Sequence, residues 1–341
     1  MIKVLEKVEI KDHCTFHIGG QFCYFAHILN IDQLIEAVKF AEEKKLPIFV
    51  LGGGSNLVFT DKLLNVVALK IEIKGFEVLE NNDEHAIIKV GAGENWDYFV
   101  SRTVASNLTG VEVLSAIPGT VGATPVQNVG AYGTEVKDTI VSLEVYDIEN
   151  KTIKTLLNSD CKFRYRDSIF KNESKGKFVI ISVTFQLLKK LPSFPNYPGV
   201  KKYFIEHNIN TPTLQEIRKA IIDIRGVKLP DPKKIYNVGS FFKNPIVESS
   251  IATKLKNKNP DLTIFPVDEN FTKVPAGWLI EQAGLKGKNF GPISIYSNNA
   301  LVLVNNGTAT YEDVLKIRDE IIKIVKDKFN ITLEQEPEIV T

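Results

Sequence analysis

Arg166 stands in a sequence context that suggests binding of an anion. It belongs to CKFRYRDSIFK (161–171), where charged residues are flanked by apolar ones. The planar guanidinium of arginine can bind a carboxylate through two parallel hydrogen bonds, more effectively than a lysine ammonium. The segment therefore predicts a carboxylate-binding arginine, although a surface ion pair with Asp167 fits the same residues.

Ser240 is the candidate for moving a proton. It follows Gly239 and precedes Phe241 and Phe242, so a turn and two buried aromatic rings would hold its hydroxyl in a partly dry site. A hydroxyl in such a site can relay a proton. The segment lacks the Gly-x-Ser-x-Gly pattern of a hydrolase nucleophile, and no histidine is near in sequence. We therefore expect proton relay by Ser240 and not nucleophilic attack.

Three further polar features accompany these two residues. Lys228, just before a Leu-Pro pair, is a candidate anchor for a phosphate. Asn298 and Asn299 precede an apolar strand, and the tail LEQEPE (333–338) is acidic.

A glycine-rich turn, Gly52-Gly53-Gly54-Ser55-Asn56, follows a short apolar strand. Glycines let the backbone approach a ligand closely and direct several N–H groups toward it, which suits a pyrophosphate. The turn is neither a Walker A motif nor the GxGxxG fingerprint of a Rossmann helix. By itself it fits a tight structural turn equally well.

The segment AIPGTVGATPVQNVGAYG (116–133) contains no charged residue and few large side chains. Such a segment is a poor former of a core helix or strand, but its backbone can lie against an extended, planar ligand. Its apolar content is high for a solvated loop, which is the alternative. Together with the 52–56 turn, and with Gly91-Ala92-Gly93 as a third wall, it predicts a dinucleotide held by backbone amides outside a Rossmann fold.

The histidines and cysteines indicate little metal chemistry. His13 and His17 flank Cys14, but the glycine-containing context disfavours a metal site. The odd number of widely spaced cysteines (Cys14, Cys23 and Cys161) fits reduced thiols in a cytoplasm better than a disulfide framework.

Composition excludes several classes of function. The chain has 341 residues, with 42 Lys plus Arg against 41 Asp plus Glu and a net charge of +1. A balance of this kind argues against nucleic-acid binding, which usually requires a basic face. Apolar runs such as FVIISV (178–183) are far shorter than the roughly 20 residues of a membrane span, and the N-terminus lacks the apolar core of a signal peptide.

Apolar periodicity predicts the elements that must position these residues. Up to about residue 190, short strands alternate with glycine-rich turns, and a helix covers 31–45. The prolines of 185–200 predict an irregular excursion, and 213–227 reads as a helix.

Beyond a linker at 228–234, we expect a loop-rich stretch to about residue 270. The elements predicted after it are a helix at 276–285, strands at 293–297 and 300–306, a helix at 311–329 with an apolar stripe, and a short returning strand within 331–341.

The sequence resembles a known family, the UDP-N-acetylenolpyruvoylglucosamine reductases, which are flavoproteins of bacterial peptidoglycan synthesis. The resemblance covers nearly the whole chain. It rests on the acidic tail and on TFHIGG (15–20), GGGSN (52–56), IPGTVGATPVQNVGAYG (117–133), YRDSIFK (165–171), KLPDP (228–232), GSFFKNP (239–245) and AGWLIEQ (276–282).

The resemblance implies a mixed α/β fold of the vanillyl-alcohol-oxidase (PCMH) type, with two FAD-binding subdomains and a smaller α/β substrate-binding domain. The implied divisions are 1–70 with the returning strand 331–341, then 71–228, then 229–330. A tyrosine loop near 192–200, carrying Tyr197, would mark the chain as type I of the family.

The implied reaction is NADPH-dependent reduction of UDP-N-acetyl-3-O-(1-carboxyvinyl)-glucosamine to UDP-N-acetylmuramate through bound FAD. Arg166 would stabilise the enolate-like state, Ser240 would donate the proton, and Glu336 would assist. The substrate would be positioned by Tyr165, Tyr197, Lys228, Asn244 and Asn299.

The resemblance also names the residues that would hold FAD. They are Gly52, Gly53, Gly54, Ser55, Asn56, Pro118, Gly119, Thr120, Gly122, Ala123, Gln127, Asn128, Gly130, Ala131, Tyr132 and Gly133. We expect a cytoplasmic monomer with a small-molecule substrate, without a metal ion, nucleic-acid partner or membrane insertion.

Two departures from the family pattern leave choices open. The family tail usually ends LEPEV, whereas this chain has LEQEPEIV, so the catalytic glutamate is Glu336 or Glu338; ungapped spacing from Phe329-Asn330 selects Glu336. Asn299 stands where some relatives have the longer glutamine, which puts its direct contact with substrate in question.

Two rival functions follow from the same residues. One is a flavin-dependent oxidase of the same fold, which should lack the Lys228 and Ser240 set. The other is a non-catalytic protein that binds flavin or a nucleotide sugar, against which the presence of Arg166, Ser240 and a tail glutamate counts.

Overall fold

The computed structural model describes residues 2–190, 192 and 194–341. Met1, Leu191 and Ser193 lie outside this description, so part of the predicted tyrosine loop is not described. The chain forms two compact units. The first comprises residues up to Val8, Phe22–Gly54 and Leu64–Gly226, and the second comprises Glu9–Gln21, Ser55–Leu63 and Val227–Thr341. The predicted functional division at residues 70 and 228 stays a prediction.

The elements are as follows in chain order. The strands are β1 (Val4–Glu9), β2 (Gln21–Ile28), β3 (Ile48–Leu51), β4 (Leu57–Phe59), β5 (Leu64–Ile71), β6 (Phe76–Asn81), β7 (His85–Gly91), β8 (Gly130–Ala131), β9 (Thr134–Glu135), β10 (Ile140–Asp147), β11 (Thr152–Leu157), β12 (Phe178–Leu188), β13 (Asn237–Ser240), β14 (Ile246–Glu248), β15 (Phe265–Pro266), β16 (Phe271–Lys273), β17 (Ile293–Ile295), β18 (Val302–Asn305) and β19 (Glu338–Val340). The helices are α1 (Ile31–Lys44), α2 (Trp96–Ala105), α3 (Pro198–Glu206), α4 (Leu214–Lys228), α5 (Ser249–Lys258), α6 (Ala276–Gln282) and α7 (Tyr311–Phe329).

The first unit contains two sheets. One has the order β1-β2-β5-β3, with β5 parallel to both β2 and β3. The other has the order β11-β10-β12-β7-β6 and is antiparallel. The Trp96, Phe99 and Phe185 rings, with centroids 4.8–6.0 Å apart, pack in the core of this unit and anchor α2.

The second unit has a core of its own. Its sheets have the orders β13-β18-β17 and β14-β16-β15, and β19 runs parallel to β4. Helix α7 buries Val314, Ile317, Ile321 and Val325, which lie on one face because they recur at helical spacing. The predicted apolar stripe of this helix and the returning C-terminal strand are both confirmed.

Two stretches expected to be irregular are partly regular. Helix α3 begins at Pro198, where proline fixes a helical φ and has no N–H to leave unpaired, so the prolines end an extended stretch and start a helix. Helix α5 lies in the stretch predicted as loop-rich. Only Ala252 is fully buried, with Ile251 and Leu255 partly buried beside it, so the apolar face of this helix is too short to stand out in the sequence.

No helix within the described part of the chain is long and apolar enough to cross a membrane.

The three cysteines give a test of this packing. All are thiols; Cys14 and Cys161 are buried, whereas Cys23 on β2 is partly exposed. Burial raises the pKa of the Cys14 thiol, and burial together with the Asp160 carboxylate raises the pKa of Cys161 to about 12. Because the thiolate is the reactive form, we expect Ellman's reagent at about pH 8 to label Cys23 alone in the native protein.

All three thiols should react once the chain is unfolded in guanidinium. A Cys23→Ser variant should show no rapid labelling when native. Rapid labelling of that variant would contradict the packing described for Cys14 and Cys161.

Candidate functional site

The two glycine-rich segments of the first unit pack backbone against backbone. A Cβ atom added to Gly53 would lie 2.6 Å from the Cα of Gly119, closer than real Cβ atoms come to another carbon. A Cβ on Gly52 would lie 3.0 Å from the Thr120 hydroxyl oxygen. Only glycine at position 53 lets the turn after β3 meet the 116–133 segment, so the sequence motif is explained by this contact.

Lys70, on β5, fixes the direction of the first peptide in this turn. Its ammonium donates a hydrogen bond to the Gly52 carbonyl oxygen. Because N–H and C=O point in opposite directions across a trans peptide, the Gly53 N–H is directed away from Lys70. Burial lowers the pKa of the Lys70 ammonium.

Residues 92–96 hold the middle of the 116–133 segment through main-chain hydrogen bonds. The Trp96 N–H donates to Gly119 O at 3.1 Å, the Val121 N–H to Glu94 O at 2.9 Å and the Gly122 N–H to Ala92 O at 2.9 Å. The stretch predicted as a third wall, Gly91-Ala92-Gly93, is therefore part of the same structure. These bonds need no particular side chain, which explains why the sequence can remain so poor in large residues.

Asn128 and Arg166 fix the far end of the segment. Asn128 is fully buried, and its amide donates to Glu135 Oε2 at 2.8 Å and to Arg164 O at 3.0 Å. The Arg166 guanidinium donates to Gly130 O at 2.7 Å. Arg166 is half-buried and adopts a left-handed φ of 57°. The structure therefore brings the predicted carboxylate-binding arginine directly to the glycine-rich segment.

The three candidate tyrosines also lie at this segment. The rings of Tyr132 and Tyr197 meet edge to face with centroids 5.3 Å apart, and Tyr197 precedes the first turn of α3. The Arg166 guanidinium lies 5.3 Å from the centroid of the Tyr165 ring. Burial raises the pKa of the Tyr132 and Tyr197 phenols, so both stay protonated near neutral pH.

The donor set of the first unit fits a flavin dinucleotide. The Gly53–Gly119 contact brings backbone amides of the two segments together, with the Thr120 hydroxyl and the Gln127 amide on the second segment. Backbone N–H groups in such turns form concavities that bind phosphates. Asn128 contributes by fixing the segment, since its buried side chain is hydrogen-bonded within the protein.

In the second unit, β13 positions Ser240. Asn237 pairs with Val304 and Ser240 with Val302, with an irregularity between them at Gly239, whose φ is 71°. A residue with a side chain rarely adopts this conformation. The two aromatic residues that follow Ser240 are buried, which confirms the turn and burial predicted from the sequence.

The C-terminal tail lies beside the residues that follow Ser240. The Glu336 N–H donates to Phe241 O at 2.9 Å, and the Lys243 N–H donates to Glu334 O at 2.9 Å. Glu338 instead begins β19, where it pairs with Leu57. The tail around Glu336 thus pairs with the residues that follow Ser240, while the backbone of Glu338 pairs with β4.

Asn56 joins the glycine-rich turn to the same tail. Its side-chain amide donates to Glu336 O at 3.4 Å, and its own carbonyl accepts from the Glu338 N–H at 3.0 Å. One predicted flavin residue thus helps to fix the backbone on both sides of Pro337.

Asn244 and Asn299 both stabilise the local backbone. The Asn244 side-chain oxygen accepts from the Ala276 N–H at 2.9 Å, at the start of α6. The Asn299 side-chain oxygen accepts from the Leu301 N–H at 3.0 Å, and Leu301 O accepts from Phe241 N–H at 2.7 Å. Asn299 therefore lies on the turn that pairs with the Ser240 strand.

Lys228 is exposed at the last residue of α4. The neighbouring carbonyl of Val227 accepts from the Asn298 side-chain amide at 3.1 Å. Lys228 and the Asn298–Asn299 turn are thus close in the second unit, as a shared substrate surface would require.

Of the two histidines that flank Cys14, His17 has a packing role. The His17 ring stacks on Tyr236 with centroids 4.2 Å apart. Across residues 2–190, 192 and 194–341, no group of three or more His, Cys, Asp or Glu side chains is arranged to hold a metal ion.

Sequence reasoning missed three charged residues of the first unit. Arg218 makes a bidentate ion pair with Asp97, with N–O distances of 2.6 and 2.8 Å, and Arg225 hydrogen-bonds to Tyr132. The seven-residue spacing of the two arginines on α4 was the available signal, because residues two turns apart lie on one helix face.

Comparison with known families matches both parts of the chain. Residues 24–156 match the family described as FAD binding domain. Residues 231–340 match the family described as UDP-N-acetylenolpyruvoylglucosamine reductase, C-terminal domain. The predicted FAD cofactor and the flavoprotein class are confirmed.

Individual relatives match over nearly the full length. The UDP-N-acetylenolpyruvoylglucosamine reductase of Flavobacterium johnsoniae is 42% identical, over 99% of this chain and 100% of its own. That of Bdellovibrio bacteriovorus is 43% identical over 87% of each chain. The crystal structure of the Thermus caldophilus reductase superposes with a TM-score of 0.69 over 100% of both chains at 23% identity, which confirms the expected fold.

Gly53→Ala tests the backbone contact. The added Cβ would meet Gly119 at 2.6 Å, so the two segments must separate. We expect the free energy of unfolding to fall by about 1–3 kcal/mol and FAD to bind more weakly, as measured by denaturant titration and by quenching of flavin fluorescence.

Gly226→Ala is the matched control, because a Cβ at this position in α4 has no atom within 4 Å. It should stabilise the protein by about 1 kcal/mol and leave FAD binding unchanged. Normal FAD affinity in Gly53→Ala would contradict the role given to this contact.

Proposed function

Because the chain belongs to the UDP-N-acetylenolpyruvoylglucosamine reductase family, we propose that it reduces UDP-N-acetyl-3-O-(1-carboxyvinyl)-glucosamine to UDP-N-acetylmuramate, with NADPH as electron donor. The product is a precursor of peptidoglycan, so the activity serves cell wall biogenesis and, through it, cell shape and division. The observation that carries the proposal is the full-length match to the relatives, which includes both the FAD-binding part and the C-terminal part.

The cofactor and the protein have different roles in this reaction. FAD, once reduced by NADPH, would supply the hydride that converts the methylene carbon of the enolpyruvyl group to a methyl group. Negative charge then develops on the neighbouring carbon and its carboxylate. A fixed cation directed at this charge lowers the barrier more than a mobile one, because it need not reorient during the reaction.

Arg166 is the proposed electrostatic group. Its hydrogen bond to Gly130 O uses one edge of the guanidinium and fixes the direction of the rest. A guanidinium placed in this way is suited to bind the substrate carboxylate through parallel N–H groups. The left-handed backbone of Arg166 supports a positional role, since strained residues concentrate at functional sites.

Ser240 is the proposed proton donor to the carbon next to the carboxylate. Its placement on a strand followed by two buried phenylalanines supports a site with little water. Glu336 is the proposed assisting acid, supported by the hydrogen bond from its N–H to Phe241 O, one residue after Ser240.

The remaining site residues would bind ligands. We assign the UDP-sugar to Tyr165, Tyr197, Lys228, Asn244 and Asn299, with the exposed Lys228 ammonium suited to a phosphate. The backbone amides of 52–56 and 118–133 would hold FAD.

We further propose that the protein acts as a monomer in the bacterial cytoplasm. Three reduced cysteines and a net charge of +1 support a reducing compartment and argue against a polyanionic partner. Sedimentation equilibrium tests the monomer.

The function is tested by NADPH consumption. The purified protein should be yellow and should oxidise NADPH rapidly only when the enolpyruvyl nucleotide sugar is supplied. A flavin-loaded protein without substrate-dependent turnover would be the non-catalytic alternative. Turnover with an alcohol or a lactone and molecular oxygen would instead identify an oxidase.

Ser240→Ala separates proton donation from folding. We expect flavin reduction by NADPH to stay nearly intact, while reoxidation by the enolpyruvyl substrate slows by at least roughly 10²-fold, the usual contribution of a positioned acid. Stopped-flow absorbance of the flavin measures both half-reactions. An equal loss in both would make Ser240 a structural residue.

Glu336→Gln and Glu338→Gln are matched variants that determine which glutamate of the tail takes part in catalysis. The first should slow the substrate half-reaction, because the Glu336 backbone pairs beside Ser240; the second should leave that rate within about threefold of wild type. The opposite pattern would assign the catalytic role to Glu338 and show that the ungapped alignment from Phe329-Asn330 is wrong.

A further inference from the structure

The residue just before the flavin segment, which we define as residues 117–133, has an unusual conformation. Ala116 has a φ of 58°, in the left-handed region that residues with a side chain rarely adopt. Such a conformation persists only where the surroundings fix it. The question is what holds Ala116, since its geometry sets the direction in which the flavin segment leaves the core.

Charged side chains hold both polar groups of Ala116. Its N–H donates to Asp97 Oδ1 at 2.6 Å, and its carbonyl oxygen accepts from Arg225 Nε at 3.3 Å. Hydrogen bonds with one charged partner are shorter and stronger than neutral ones. Ala116 is thus held from two sides, by the first turn of α2 and by α4.

Asp97 is itself oriented by Arg218. The guanidinium donates to Oδ1 at 2.6 Å and to Oδ2 at 2.8 Å, and the Arg218 side chain is only 16% exposed. Burial alone would raise the pKa of the Asp97 carboxyl. The Arg218 hydrogen bond and the Ala116 N–H outweigh it and lower that pKa, so Asp97 is ionised at neutral pH.

Helix α4 also reaches the other end of the flavin segment. Arg225, two turns after Arg218 on the same face, hydrogen-bonds to the phenol of Tyr132. One helix therefore contacts the residue before the segment and a residue near its end. The middle is held by main-chain hydrogen bonds and the far end by Asn128 and Arg166, so at the start of the segment the side-chain control lies at Ala116.

We propose that Asp97, oriented by Arg218, is a positioning residue that sets the conformation of the flavin segment and so the affinity and environment of FAD. The inference rests on the FAD binding described above and needs no assumption about the substrate. Neither residue is among the candidate site residues predicted from the sequence.

The test uses apoprotein prepared without flavin and titrated with FAD, with binding followed by fluorescence quenching well below the unfolding temperature. Asp97→Leu removes both the Ala116 bond and the ion pair, and Arg218→Met removes the ion pair alone. We expect the dissociation constant of FAD to rise by about tenfold or more for Asp97→Leu and by a smaller factor for Arg218→Met. Arg218→Lys keeps the positive charge but loses the bidentate geometry of the guanidinium. Its dissociation constant for FAD should lie between those of Arg218→Met and wild type.

Lys219→Met is the matched control on the same helix. It breaks the exposed ion pair with Asp223, whose N–O distance is 2.6 Å, and should leave FAD affinity unchanged. The visible circular dichroism of bound flavin at saturating FAD gives a second readout. It should change in Asp97→Leu and Arg218→Met and not in the control, because a loss of overall stability does not alter the flavin band of folded protein.

Each outcome has a separate meaning. If the variants match the control in FAD affinity and in the flavin band, Asp97 is only structural and the inference is wrong. If Asp97→Leu does not fold, Arg218→Met and Arg218→Lys decide the inference in the same way. Wild-type protein that fails to bind FAD would overturn the proposed function itself, a result distinct from equal binding by wild type and variants.

Discussion

The contact between Gly53 and Gly119 is the constraint on which the flavin-binding half depends. Two stretches of bare backbone meet where a single added carbon would lie 2.6 Å from its neighbour. Side chains are therefore excluded at the contact itself, and backbone amides and short polar side chains stand beside it. The balanced charge of the chain fits binding of a cofactor by amides and a few lysines and arginines, without a basic surface.

A second constraint acts on the C-terminal tail, for which we propose a catalytic role. Residues 241–243 and 334–336 pair in antiparallel register, and Asn56 holds the backbone on both sides of Pro337. The two tail glutamates differ in where their backbones pair: Glu336 with Phe241, one residue after Ser240, and Glu338 with Leu57 on β4. This backbone pairing supports the proposed role of Glu336, which the sequence spacing alone could only suggest.

Strong periodicity and special backbone needs made parts of the structure predictable. Helix α7, with an apolar residue at every turn, and the glycine turn after β3 follow from local rules. Helix α5 was missed because its apolar face is short, and α3 because its prolines resembled an irregular stretch. Asp97 was missed for a different reason: its partners Ala116 and Arg218 are remote in sequence, and only the folded chain brings them together.

We propose that FAD bound to this chain carries electrons from NADPH to an enolpyruvyl nucleotide sugar. The most direct measurement is an anaerobic single turnover, in which flavin reduced by NADPH is mixed with one equivalent of UDP-N-acetyl-3-O-(1-carboxyvinyl)-glucosamine. We expect full reoxidation of the flavin and a product heavier than the substrate by two hydrogen atoms. Flavin that stays reduced until oxygen is admitted, with the nucleotide sugar unchanged, would contradict the proposal.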